Sequence, residues 1–178
     1  MLTFVDRKKE LSALRERLRR PSSLSLMYGP RRAGKTFLLQ HLLATEAASS
    51  DTLYFLADES TGPALLRRFH QEVAAGGLGG ELWSSTQPTD WGTALTLLVQ
   101  SLDPTRRTVL VFDELQYLLE AEPAVPSILQ RVWDVVRPKG GIHIILCGSA
   151  LGTLGRLGDQ RQPLHGRFDL RLKLKPFT

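Results

Sequence analysis

Hydrophobic positions along the chain alternate between two spacings. From Asp6 to about Arg20, Leu11, Leu14 and Leu18 recur at helical intervals, with Asp6 as N-cap and Pro21 closing the run. Leu24-Ser25-Leu26-Met27-Tyr28 is then a short apolar run stopped by Gly29-Pro30, which predicts a buried strand. Lys35 to about Ala48 returns to the helical interval, with Phe37, Leu38, His41 and Leu42 on one side. The succession continues with a strand over 52–56, a helix over 63–75, a helix from the cap Asp90 to about Ser101, a strand over 108–112, a helix over 126–137 and a strand over 142–147. Gly76-Gly77-Leu78-Gly79-Gly80 and the Ser and Thr residues after it read as a flexible loop. Residues 168–174 alternate apolar and basic side chains, as an edge or half-exposed strand would. Strands alternating with helices predict an α/β fold, with about five strands in a mostly parallel sheet.

Composition narrows the class. A chain of 178 residues suits one ordinary domain, and 42% hydrophobic with 23% charged residues suits a soluble globular protein. No apolar run approaches the roughly 18 residues of a membrane helix. The first ten residues turn charged at once and contain no secretory h-region, so the reading is cytoplasmic with no membrane partner. Cys147, the single cysteine, excludes an intrachain disulfide and a cysteine-rich metal site; inside Ile144-Ile145-Leu146-Cys147 it reads as a small buried hydrophobe. The formal charge of +5 permits a polyanionic partner, and a nucleoside triphosphate is already one. The clusters Arg15/Arg17/Arg19/Arg20, Arg67/Arg68 and Arg106/Arg107 lack interleaved aromatics for base stacking and read as solvated faces, which gives nucleic acid little support.

Gly29-Pro30-Arg31-Arg32-Ala33-Gly34-Lys35-Thr36 fits the GxxxxGK[ST] phosphate loop, and it lies between a strand and a helix as that loop requires. In such a loop the backbone amides and the helix N-terminus point at phosphates, lysine neutralises the β and γ groups, and the hydroxyl takes a Mg²⁺ position. Those roles fall to Lys35 and Thr36, with Phe37 just beyond. Val109-Leu110-Val111-Phe112 ends in Asp113-Glu114, which puts two carboxylates at the carboxyl edge of a buried strand. Asp113 is the candidate Mg²⁺ anchor and Glu114 the candidate that orients an attacking water. Ser149, at the end of another buried strand, is either a sensor of the γ-phosphate or a turn serine; His143, at that strand's start, is structural. Arg167 before the last strand is a candidate to stabilise transferring charge, within the chain or from a neighbouring subunit, and Arg156 and Arg161 compete for that role.

Together, Phe4-Val5-Asp6-Arg7-Lys8-Lys9-Glu10-Leu11, Tyr28 through Thr36, Tyr54-Phe55-Leu56-Ala57-Asp58, Phe112 through Leu118 and Cys147-Gly148-Ser149 resemble the prokaryotic and archaeal ATPase family of AAA+/STAND-like P-loop ATPases. The resemblance runs from Phe4 to the end. It implies a three-layer P-loop NTPase core with the phosphate-loop strand in the middle of the sheet. It also implies that Phe4, Val5 and Arg7 lie near the adenine, that Asp113 and Glu114 are the Walker B acids, and that Ser149 holds a sensor position where many AAA+ members carry asparagine or threonine. Gly166-Arg167-Phe168-Asp169 is similar to the AAA+ box near an arginine finger. Relatives continue into a helical lid and often a winged-helix or nuclease-like region, so residues 1–178 are expected to be the ATPase core alone. The expected function is Mg²⁺-dependent ATP binding and hydrolysis, with ATP, ADP and Mg²⁺ as ligands and a protein client or a homo-oligomer as partner. A nucleotide-gated switch with little turnover and a DNA-associated ATPase are the alternatives.

Overall fold

In the computed structural model, which describes residues 7–176, the strands join in one five-stranded sheet in which every pairing is parallel. The strands are β1 (Ser23–Tyr28), β2 (Ser50–Leu56), β3 (Arg107–Asp113), β4 (Ile142–Gly148) and β5 (Leu170–Lys173), in the order β2-β3-β4-β1-β5. The phosphate-loop strand β1 is thus an interior strand, and β5 is an edge strand as its alternating pattern suggested.

Two cores lie on opposite faces, and the period-2 alternation of each strand sorts residues between them. Leu24 and Leu26, Leu110 and Phe112, and Ile144 and Leu146 enter the larger core. Met27, Val109, Val111, Ile145 and Cys147 enter the smaller one. Helices α1 (Lys8–Leu18) and α2 (Lys35–Glu46) cover the smaller core. Helices α3 (Gly62–Ala75), α4 (Gly80–Ser85), α5 (Trp91–Ser101), α6 (Leu115–Ala121), α7 (Val125–Val136) and α8 (Leu151–Gly155) contribute to the larger one. Helices on both faces of a parallel sheet make the three-layer α/β architecture. No helix among the described residues is long and apolar enough to cross a membrane.

Several local expectations needed correction. Asp6 lies outside the described residues, and Arg7 holds the N-cap position of α1. The buried face of α2 is Lys35, Leu38, Leu39, Leu42 and Leu43, while Phe37 is exposed, so the helix is turned from the predicted side. The glycine-rich segment is not simply a loop. Gly76 closes α3, Gly79 at φ 75° opens α4, and Trp83 is fully buried with its indole nitrogen donating to the His70 carbonyl at 3.1 Å. One aromatic anchor suffices to order that short helix against the core. Asp90 caps α5 as expected, accepting from the Thr93 amide at 2.8 Å.

Candidate functional site

Because all strands run parallel, the segments following β1, β2, β3 and β4 open on one edge, the place where open α/β sheets hold ligands. There a cavity of about 590 Å³ is lined by Arg31, Arg32, Gly34, Lys35, Thr36 and Phe37 of the phosphate loop, by Glu114 and Tyr117 beyond β3, and by Gln40, Leu56 and Ala57. Close passage of the backbone makes the loop possible. A Cβ on Gly29 would sit 2.6 Å from the Leu174 carbonyl oxygen, so the loop leaves β1 pressed against the end of β5. Gly34 at φ 80° occupies the N-cap of α2, and no side chain caps that helix's first turn. An uncapped N-terminus facing a cavity suits an anion.

Lys35 is buried and folded back on its own loop, its Nζ donating to the carbonyls of Gly29 at 2.8 Å and Pro30 at 2.6 Å. The Arg31 guanidinium reaches the Tyr117 hydroxyl at 2.9 Å. Ala33 is fully buried, and its carbonyl accepts from the Arg7 guanidinium at 3.0 Å; Arg7 also donates to the Lys175 carbonyl and pairs with Glu10. Arg7 thereby ties the chain before α1, the phosphate loop and the segment after β5 together. Phe4 and Val5, expected beside it, lie outside the described residues.

Asp113 closes β3 fully buried, and its carboxylate accepts from three donors: the Thr36 hydroxyl at 2.8 Å, the Tyr54 hydroxyl, and the Glu114 amide at 2.8 Å. Burial, together with the Asp113 carboxylate, raises the Tyr54 phenol well above its ordinary range, so it remains a proton donor at any physiological pH. Cys147 lies close by and is inert for related reasons, because burial and the charge of Asp113 push its thiol up. Thr36 and Asp113 present hard oxygen donors side by side. No group of three or more His, Cys, Asp or Glu residues placed to hold a metal occurs among the described residues. Magnesium matches that donor set, since it is held by one or two protein oxygens completed by phosphate and water.

Glu114 stands at φ 51° and ψ 42°, a left-handed conformation that costs a non-glycine residue about 1 kcal/mol or more. Among the described residues only Arg32 shares this feature without being glycine, and both line the same cavity. The Glu114 carboxylate accepts from the Ser149 hydroxyl at 2.8 Å and from the Gln116 amide. Gln116, itself buried, also donates to the Ser149 hydroxyl at 3.1 Å and accepts from the Ser149 amide at 3.3 Å. Gly148 makes room for this network, because any Cβ there would collide with Gln116 and Leu154.

The structure therefore brings Arg7, the whole loop from Gly29 to Phe37, Asp113, Glu114 and Ser149 to one edge. Arg167 is elsewhere. Its guanidinium forms a two-pronged pair with Asp134 of α7 at 2.8 Å on each prong, and it precedes β5, whose adjacent Asp169 binds the Leu24 amide at the opposite, amino-terminal edge. Arg156 and Arg161 are exposed, and neither lines the phosphate-loop cavity. Tyr54, Gln116 and Tyr117 were missed as site residues. Tyr54 lies near the end of β2, and Gln116 and Tyr117 lie in the first turn of α6 just beyond the acids of β3, places that only the fold brings to the site.

An all-parallel sheet with a phosphate loop leaving β1 and an acidic pair leaving β3 defines the class: a P-loop nucleotide-binding fold. The chain belongs to the family described as an ATPase domain predominantly from Archaea, whose model matches residues 4–178. An uncharacterised protein of Methanocaldococcus jannaschii is 28% identical over 175 residues, covering 97% of this chain and 36% of the relative. Among solved structures, a Walker-type ATPase of Pyrococcus abyssi is 23% identical with a TM-score of 0.70, over 97% of this chain and 54% of the other. The ORC1 protein of Aeropyrum pernix, solved in complex with DNA, is 20% identical with a TM-score of 0.69, over 99% of this chain and 47% of its own. The chain thus spans about a third of that relative and about half of these two structures.

Proposed function

We propose that this chain binds ATP with Mg²⁺ at the edge formed by the phosphate loop and hydrolyses its γ-phosphate. The observation that carries the reading is the 2.8 Å bond between Thr36 of the loop and Asp113 of β3, which joins the two halves of a phosphate and metal site across the intervening β4. Lys35 would exchange its contacts with the Gly29 and Pro30 carbonyls for the β and γ phosphates. Thr36 and Asp113 would hold Mg²⁺, which supplies charge neutralisation on the phosphate oxygens when bound. Arg31, already at the cavity wall, adds a second cation to the cradle. Glu114 would orient the attacking water, with Ser149 and Gln116 fixing its carboxylate in place. Phe4, Val5 and Arg7 would contact the adenine, as the family resemblance implies. Arg167, committed to Asp134 within its own chain, would act on the nucleotide of a neighbouring subunit.

A second reading rests on the same contacts of Glu114. The Glu114 carboxylate already accepts from both Ser149 and Gln116, an arrangement suited to a nucleotide-gated switch that turns over slowly. The ORC1 likeness and the basic charge make a DNA-associated ATPase the third reading, and DNA-stimulated phosphate release would favour it. Calorimetric titration with ATP, ADP and GTP in the presence of Mg²⁺ tests the nucleotide reading. Saturable binding that is lost in Lys35→Ala is expected; no binding of any of the three by the folded parent would refute it.

A further inference from the structure

At the amino-terminal edge of the sheet, opposite the phosphate loop, a separate cavity of about 380 Å³ opens between α5 and α7. Val99 of α5 and Ile128, Val132 and Val136 of α7 contribute apolar walls, and Ile142 at the start of β4 contributes apolar floor. That volume falls within the range of small-molecule sites, and the mainly apolar lining is typical of them.

Two features distinguish this cavity from an ordinary gap between helices. Thr108, at the start of β3, lines the floor with 1% of its surface exposed, and its hydroxyl has no hydrogen-bond partner. Buried hydroxyls are normally partnered, so this one marks a polar point that the protein itself leaves unmatched. At the rim stand three cations and one acid. Arg106 is engaged by Asp51 at 2.8 Å, and Asp103 is engaged by the Thr105 amide and hydroxyl. Arg131 and Lys139 are exposed, and neither side chain forms a hydrogen bond or ion pair with another described residue. Arg131 and Lys139 thus stand at the apolar cavity with no acid among the described residues to neutralise them, as an anion bound there would.

From this charge complementarity we propose that the cavity binds a small amphipathic organic anion. Its apolar body lies between α5 and α7, and its anionic group is held by Arg131 and Lys139. A ligand with a hydroxyl or carbonyl at its inner end would also approach Thr108. The site is remote from the phosphate loop, and the proposal does not depend on the nucleotide reading.

The test uses 8-anilinonaphthalene-1-sulfonate, an aryl body carrying one anionic group, titrated against the folded protein by fluorescence. One saturable site is expected. Affinity should fall at least about tenfold in the Arg131→Glu/Lys139→Glu double variant and for N-phenyl-1-naphthylamine, which has the same aryl frame without the sulfonate. Thr96→Trp, a change at an exposed position of the cavity wall, should plug the site and remove the signal. Urea midpoints near the parent's establish that the variants are folded. ATP with Mg²⁺ should leave the signal unchanged. Parent-like affinity in the charge-reversed or plugged protein, equal binding of the neutral probe, no saturable binding by the folded parent, or displacement by ATP would each overturn the proposal.

Discussion

Glu114 and Gln116 show how a short stretch of sequence becomes a device. The carboxylate is presented from a left-handed backbone position and steadied by an amide two residues on, which is locked in turn to Ser149 just beyond the neighbouring strand β4. Gln116→Leu keeps much of the volume and removes both roles of the amide. Phosphate release is expected to fall by about one to two powers of ten, the equivalent of one or two charge-assisted hydrogen bonds, with ATP affinity unchanged. Loss of affinity together with rate would show that Gln116 merely supports the fold. His143 offers a second test at this scale. It is buried against Ser23, with Arg107 and Asp169 also acting on it, and burial lowers its pKa from 6.5 to about 4. The unfolded chain therefore takes up this proton at higher pH than the folded one. The contribution to stability is complete above about pH 6.5, declines as pH falls toward 4, and then levels off at a loss of roughly 3 kcal/mol. Urea unfolding at pH 7.5 and 4.5 should show that this decline shrinks in His143→Gln.

Elements explain how much could be read in advance. The strands β1, β3 and β4 were legible because a parallel sheet covered on both faces requires near-continuous apolar runs, and those over 109–112 and 144–147 are unbroken. The phosphate loop and the acids after β3 were legible because their spacing is fixed by chemistry. The face of α2 was not, since its apolar residues run almost all the way round and only the contacts of Leu39 and Leu43 choose the side. The helices α6 and α8 were missed because each is only a turn or two long, too short for periodicity to register. Tyr54 and Gln116 escaped because their roles depend on bonds across strands and turns, to Asp113 and Ser149. Gly29 belongs to this scale too. Its missing Cβ lets the loop pass under the end of β5, so Gly29→Ala should destabilise the protein by about 1–3 kcal/mol, read as a lower denaturation midpoint. A parent-like midpoint would mean that the close approach relaxes without cost.

For the whole molecule, the parallel sheet separates two edges with different chemistry. One edge gathers the phosphate loop, the acids and Ser149, and the other holds His143 and the cavity between α5 and α7. Arg167 falls toward the second edge despite its motif-like neighbours, a position the linear sequence could not disclose because it depends on where the chain returns before β5. Some of the basic side chains are engaged in surface pairs such as Arg107 with Glu46 and Arg68 with Asp58, and the net charge of +5 is the excess beyond all such pairs. Such pairs contribute little stability individually. The reading that remains central is ATP hydrolysis oriented by Glu114. Its most direct test is phosphate release from saturating ATP with Mg²⁺, compared between the parent and Glu114→Gln, with ATP affinity measured on both. Turnover by the parent, and binding without turnover in the variant, is the expected result; hydrolysis by Glu114→Gln at the parent rate would contradict it.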